Sequence, residues 1–332
     1  MLRLRRGVVV AAGPQDAWLE LEVEVGGERR AACADVALVG VCEVGDEVVV
    51  NVAAQDLELG SGGFDLVHVN LSRGLDAPAK RGAHVMKLNY TSLQHAVLPV
   101  EGQELHVPLE RPVAVFQLHG HLAPLAWALG QTRPGARAGF VQTAGGALPG
   151  AMSDTVRELR ARGLLAGHIT AGPAHGGEEE AITTAGAIHH GLAEAGWDVA
   201  LVGPGPGILG SASALGHGGL TALDSAHAAV ALGCPTTLVA RMSEGDPRER
   251  HRGLSHHTRT VLELLLAPVS VALPEGAEAD VPERHEVRRA PADLDGYRAS
   301  GLPARTMGRD LGEDRLFFAA ALAAGTAVGE LL

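Results

Sequence analysis

RPVAVFQLHGHLAPLAWALGQTRPGARAGFVQ, residues 111–142, sets two short apolar runs, 113–118 and 138–142, on either side of an apolar stretch of helical length, 123–129. Apolar runs of strand length joined by a helix are the signature of parallel strands buried on both faces. The same rhythm continues downstream. Strands are expected at 164–170, 199–202, 236–240 and 269–273, with helices at 153–162, 178–195, 220–232 and 255–266. Residues 111–275 therefore read as an α/β domain, a doubly wound, largely parallel, Rossmann-like sheet. From 276 to 332 the chain is charged and proline-containing, then closes with a helix over 313–329. Gly325 and Gly329 give that helix a small-residue face, suited to ordinary packing or to a homodimer.

Upstream the period changes from helical to two. AWLELEVEV, residues 17–25, alternates apolar and charged side chains, and Gly26-Gly27 supplies the positive-φ positions of a hairpin turn. Further strands are expected at 36–41, 47–52 and 64–71, punctuated by Gly45-Asp46 and by Gly60-Ser61-Gly62-Gly63. Residues 1–72 thus form a small antiparallel β-barrel of SH3 or OB type, and 73–110, opening on SRGLDAPAKRG, is a linker and mixed connecting segment.

Composition narrows the function classes. The 332 residues carry a net charge of -12, so the surface repels polyanions unless positive charge is gathered locally, and aromatics at 3% leave few platforms for stacking bases. Nucleic acid is not an expected partner. Cys33, Cys42 and Cys234 form no CxxC pair and leave an odd thiol, which suits a reducing, cytoplasmic compartment. The opening MLRLRRGVVVAAG reads as a strand and not a secretory signal, and 316–332 falls short of the ~20 residues of a spanning helix.

In an open parallel sheet, ligands bind beyond the carboxyl ends of the strands. The loops expected there are QLHGH (117–121), TAGGALP (143–149), GPAHGGE (172–178), GPGPG (203–207) and RMSEGDPRERHRGLSHHT (241–258). Glycine admits a ligand against backbone N–H groups, which assigns Thr143, Gly145, Gly146, Gly205 and Gly207 to binding. Gly205, Gly207 and Gly210 also spell GxGxxG after a strand. No acidic residue ends the next strand; Arg241 stands there and could take a 2′-phosphate, so an NADP-dependent oxidoreductase is one alternative.

The last loop is the richest. Arg241, Arg248, Arg250 and Arg252 suit forked bonds to phosphate or carboxylate, with Ser243, Ser255, His257 and His119 completing the binding set. His251 or His256 would move a proton, with Asp246 orienting it. His256 and His257 are adjacent, so on a helix they diverge by about 100° and should not face one ligand together. A divalent metal on His119, His251 and His256, extended by His121 or His175, is the alternative. With no HExxH and no cysteine pattern, no metal is expected. Neither serine lies in a GxSxG elbow.

TAGGALP, GPG and RMSEGDPRERHRGLSHHT, together with VGDEVVVN, LELGSGGF and RTMGR (305–309), resemble a bacterial family defined as domain of unknown function 3866. The resemblance spans nearly the whole chain and implies a shared architecture, without a reaction. Its pattern includes His119, His251, His256 and His257 but does not require His121, His175 or His217. The expectation is a cytoplasmic protein that binds a small anionic ligand of phosphorylated type, as a hydrolase or transferase. The competing expectation is a non-catalytic sensing module whose barrel docks a protein or RNA.

Overall fold

The computed structural model describes residues 2–58, 63–75 and 81–332. It divides into two compact units, Met1–Leu98 and Pro99–Leu332. In the first, β1 (Leu4–Ala12), β2 (Trp18–Val25), β3 (Glu28–Asp35), β4 (Glu47–Asn51) and β5 (Asp65–Asn70) close a barrel in the order β1-β2-β3-β5-β4. Alternation drives closure: Leu19, Leu21 and Val23 of β2 point into the core while Glu20, Glu22 and Glu24 face solvent. Gly26 and Gly27 both take positive φ at the hairpin, as the turn requires. One pair, β3 with β5, is parallel, and the path is of OB rather than SH3 type.

Residues 36–39, expected as strand, form a short helix, α1 (Val36–Val39). The Asp35 carboxylate accepts from the Ala37 N–H, and a cap of that kind turns a short apolar run whose periodicity cannot distinguish strand from helix. Another short helix, α2 (Ala53–Asp56), follows β4. A ribbon of β6 (Val85–Lys87) and β7 (His95–Val97) also belongs to this unit. Gly60, Ser61 and Gly62 of the expected turn, and 76–80 of the expected linker, lie outside the described residues.

The second unit is an eight-stranded, all-parallel sheet. Its strands are β8 (Val113–Val115), β9 (Ala138–Thr143), β10 (Gly167–Ala171), β11 (Glu179–Ala181), β12 (Val199–Pro204), β13 (Thr236–Val239), β16 (Ser270–Pro274) and β17 (Glu286–Ala290), in the order β11-β10-β9-β12-β8-β13-β16-β17. A two-stranded hairpin, β14 (Met242–Ser243) and β15 (Gly253–Leu254), lies between β13 and β16 in sequence. The helices are α3 (Leu122–Thr132), α4 (Asp154–Ala161), α5 (Thr184–His189), α6 (Thr221–Ala231), α7 (His256–Leu264), α8 (Leu294–Ala299) and α9 (Arg315–Gly329). The central strands serve two cores: at β8, Ala114 and the following Phe116 pack with α3, α4 and α9, whereas Val113 and Val115 pack with α5, α6 and α7.

Two segments depart from expectation. Residues 178–195 begin as β11, because Glu180 accepts from the Thr170 hydroxyl and the Gly176 N–H and extends the sheet; only from Thr183, whose side chain caps Gly186 N–H, does helix start. The charged tail supplies β17, the eighth strand. Helix α9 is interior to its own chain, buried from Phe317 to Val328 except at Thr326. A Cβ at Gly325 would meet the Leu125 carbonyl of α3, so the small-residue face serves close packing within one chain. Among the described residues no helix is long and apolar enough to cross a membrane.

Strand β8 sits between β12 and β13. Its connection runs through α3 on one face, while those of β12 and β13 run through α6 and α7 on the other. Neighbouring strands that send the chain to opposite faces open a crevice at their carboxyl ends.

Candidate functional site

Arg241 leaves β13 at that crevice and is 2% exposed. Its N–H donates to Thr258 Oγ1 (2.9 Å), and the Thr258 hydroxyl donates to Gln117 Oε1 beyond β8 (2.7 Å). The arginine-histidine loop then doubles back through the β14–β15 hairpin, so Ser255 can donate its N–H to the Arg241 carbonyl. Ser255 caps α7 by accepting from the His257 N–H, which places His256 and His257 in the first helical turn beside Arg241.

Two buried carboxylates pin this loop. Asp314, ahead of α9, accepts from the Ser243 hydroxyl (2.6 Å) and from the Glu244 and Gly245 N–H groups. Asp246 accepts a fork from Arg248 (2.9 and 2.8 Å) and the Arg248 N–H (2.9 Å). Arg309 bridges the two acids, at 3.0 Å from Asp314 and 3.3 Å from Asp246. Burial alone would raise the Asp246 carboxyl, but the bonds from Arg248 and the charge of Arg309 hold it well below the usual carboxylate range. Arg241 reaches the same carboxylate only at 3.8 Å. Burial, then Arg248, weakens its guanidinium to a pKa of about 10, still protonated at neutral pH.

Around Arg241 stand five histidines. Its Nη1 donates to His257 Nδ1 (2.6 Å), and His217 stacks on His257 with ring centroids 3.5 Å apart. His251 Nδ1 and Ser255 Oγ share a bond of 2.8 Å, and the His251, His256 and His257 rings lie within 4.9 Å of one another. His121 stacks on Phe317. Burial, reinforced by the charge of Arg241, holds His121 and His251 at about 3 and His257 at about 2; burial and His256 hold His217 at about 4. These four are neutral imidazoles at pH 7.

The site is under-satisfied. Both ring nitrogens of His121 and of His217, Gln117 Nε2, Arg241 Nε and His256 Nε2 are buried without a hydrogen-bond partner. Each such atom costs about 1–3 kcal/mol when nothing pairs with it. A fold does not gather several at one strand edge for stability.

The other expected residues fall differently. Asp246 orients arginines, not a histidine; the group on His251 is Ser255. Ser243 donates to Asp314 and accepts from the Asp246 N–H. Arg248, Arg250 and Arg252 are exposed, Arg252 donating to the Asp246 carbonyl and Arg250 lending its charge to Arg241 and His256. His119 lies apart from the trio, bonded to Ser153 Oγ (2.7 Å) and the Pro204 carbonyl (3.3 Å), with burial holding it at about 4. The expected metal set of His119, His251 and His256 is therefore not assembled. In its place His251, His256 and His257 offer ligand atoms all within 4.8 Å. Both residues of the adjacent pair sit in the first turn of α7, where side chains tilt back toward the N-terminal cap.

The glycine loops close on each other. Gly145 abuts the Gly218 carbonyl, Gly146 the Gly205 carbonyl and Gly207 Leu148, with Gly146 bridged to Ile208. Thr143 is buried and donates to the Ala144 carbonyl. Their small size serves loop-on-loop contact. The GxGxxG stretch ends at Gly210, well before α6 begins at Thr221, so its N–H groups do not run into a helix as a dinucleotide fingerprint needs. What it does deliver is His217. Sequence reasoning also missed Gln117, Thr258, Asp314, and Met307 and Arg309, although the last two lie in the RTMGR motif; Met307 Sδ accepts from Arg241 at 3.5 Å.

No curated protein matches the chain. Among solved structures, the crystal structure of YjeQ from Thermotoga maritima aligns over 80% of this chain and 67% of that one, at 12% identity and a TM-score of 0.15. The RTMGR arginine and the arginine-histidine loop, which meet at Asp246, fall within the 31–325 span matched by the family described as "Protein of unknown function (DUF3866)", and the chain belongs to that family.

Proposed function

We propose that the crevice beside β8 binds a small anionic ligand of phosphorylated type. The observation that carries this is Arg241: a protonated guanidinium almost wholly removed from water, with Nε unpaired and its carboxylate already engaged by Arg248 and Arg309. A buried charge without full compensation is costly, and an incoming anion supplies the compensation. Gln117 Nε2 and the imidazoles around Arg241 add further unpartnered nitrogens at the same strand edge. Hydrolysis of that ligand or transfer from it is the reaction class we assign; a sensing module would bind it and turn nothing over. The free, buried Cys33, Cys42 and Cys234 support a cytoplasmic setting.

Melting curves with orthophosphate, pyrophosphate, ribose 5-phosphate and ribose test the binding half. A ligand at a hundred times its Kd adds roughly 2.7 kcal/mol, so the phosphates should raise Tm and ribose should not. An equal response to ribose, or none to any phosphate, removes the reading. Release of orthophosphate from a phosphate ester, lost in His256→Ala, would separate enzyme from sensor.

A further inference from the structure

We propose that His251, His256 and His257 form a three-histidine site for a divalent transition-metal ion of zinc type, and that the ion competes with Arg241 for His257. The geometry comes from the cap. Ser255 holds the first turn of α7 and also bonds His251 Nδ1, so one hydroxyl fixes rings that are separate in sequence. The three ligand atoms already lie within 4.8 Å. Zinc binds imidazole at roughly 2.0–2.1 Å, which puts ligand nitrogens about 3.4 Å apart in a tetrahedron, so small ring rotations complete the site. Imidazole selects zinc, cobalt, nickel or copper over magnesium or calcium. His256 Nε2 is buried and unpartnered, and His217, 7% exposed with neither nitrogen bonded, packs flat on His257 where it can orient that ring.

The competition follows from counting lone pairs. A neutral imidazole has one nitrogen with a free pair. On His257 that pair accepts from Arg241 Nη1. Metal ligation through Nδ1 takes the pair, and ligation through Nε2 moves the proton to Nδ1; in both cases the guanidinium must leave. Its Nη1, with the unpaired Nε, is then free for an anion, which would offset the charge of the ion and of the arginine together. The metal site stands without the anion reading, whereas this coupling rests on it.

The test titrates Co²⁺, then Zn²⁺, into EDTA-treated full-length protein while recording the visible spectrum. Binding of one Co²⁺ with intense four- or five-coordinate bands, displaced by Zn²⁺, is expected. His256→Ala should weaken it about tenfold or more, the order of loss seen even for outer partners of metal ligands. Arg241→Gln removes the competitor and should tighten it severalfold, a gain that a damaged fold cannot produce. No stoichiometric Co²⁺ or Zn²⁺ uptake, or uptake indifferent to His256→Ala, overturns the metal site; metal affinity unchanged or lowered in Arg241→Gln overturns the competition. Orthophosphate binding measured on the EDTA-treated protein stands apart: if it persists while metal uptake fails, only the metal inference falls, and if metal binds but phosphate never does, only the anion reading falls.

Discussion

The barrel and the α/β unit each bury an aspartate among polar groups, and they finish the job differently. In the barrel, Asp46 takes Asn70 Nδ2 (2.9 Å), the Glu43 N–H (2.9 Å) and a fork from Arg73, while Asn70 also donates to Val41 O and accepts from the Ser72 and Arg73 N–H groups. Among the described residues, no buried side-chain polar atom of that unit lacks a partner. Around Asp246 the carboxylates are equally well served, yet seven nitrogens on Gln117, His121, His217, Arg241 and His256 are not. A closed network locks a turn; an open one leaves polar atoms for water or a ligand to satisfy.

That contrast can be broken by mutation. Asp246→Ala should have the largest effect, about 3–5 kcal/mol in urea unfolding, since it takes the carboxylate from the buried Arg241 and a partner from Arg248 and Arg309. Asn70→Leu should cost the barrel about 1–3 kcal/mol by taking one donor from Asp46 and the acceptor from the Ser72 and Arg73 N–H groups. His121→Leu, which removes two unsatisfied nitrogens, should change stability by no more than about 1 kcal/mol, or raise it, while weakening phosphate binding. If His121→Leu proved as damaging as Asn70→Leu, the open network would be structural after all.

The smallest expected effect is a pH dependence. Burial would raise the Asp46 carboxyl, but the Glu43 N–H and Arg73 outweigh it and the net shift is downward. A folded pKa below the unfolded one contributes stability that is present above the ordinary carboxylate value, about 4, and is lost as pH falls through the lowered folded value. Asp46→Asn should flatten the acid limb of barrel stability below that pH, and an unchanged limb would remove Asp46 as its source.

Much of the frame was legible because burial leaves a period. Two-faced apolar runs gave β8, β9, β12, β13 and β16, and the alternating LELEVEV gave β2. The misreadings share a cause: short segments are decided by caps and partners that no periodicity records, as Asp35 does for α1 and Glu180 for β11. The arginine-histidine loop announced itself by composition. Its geometry did not, because the Ser255 cap converges two adjacent histidines, and because Gln117, His217, Arg309 and Asp314 arrive from remote segments through a strand order that sequence does not encode. The role of the glycine loops is not legible in sequence for a different reason, since close loop contact and close ligand approach demand the same residue.

The central claim is that Arg241 waits for an anion. Calorimetric titration of orthophosphate into the full chain, set beside Arg241→Lys, tests it most directly, because lysine keeps a buried cation and loses the fork. The account predicts one phosphate per wild-type chain and binding weakened about tenfold or more in a folded variant. Equal affinity in the two proteins, or no binding to the wild type, would contradict it.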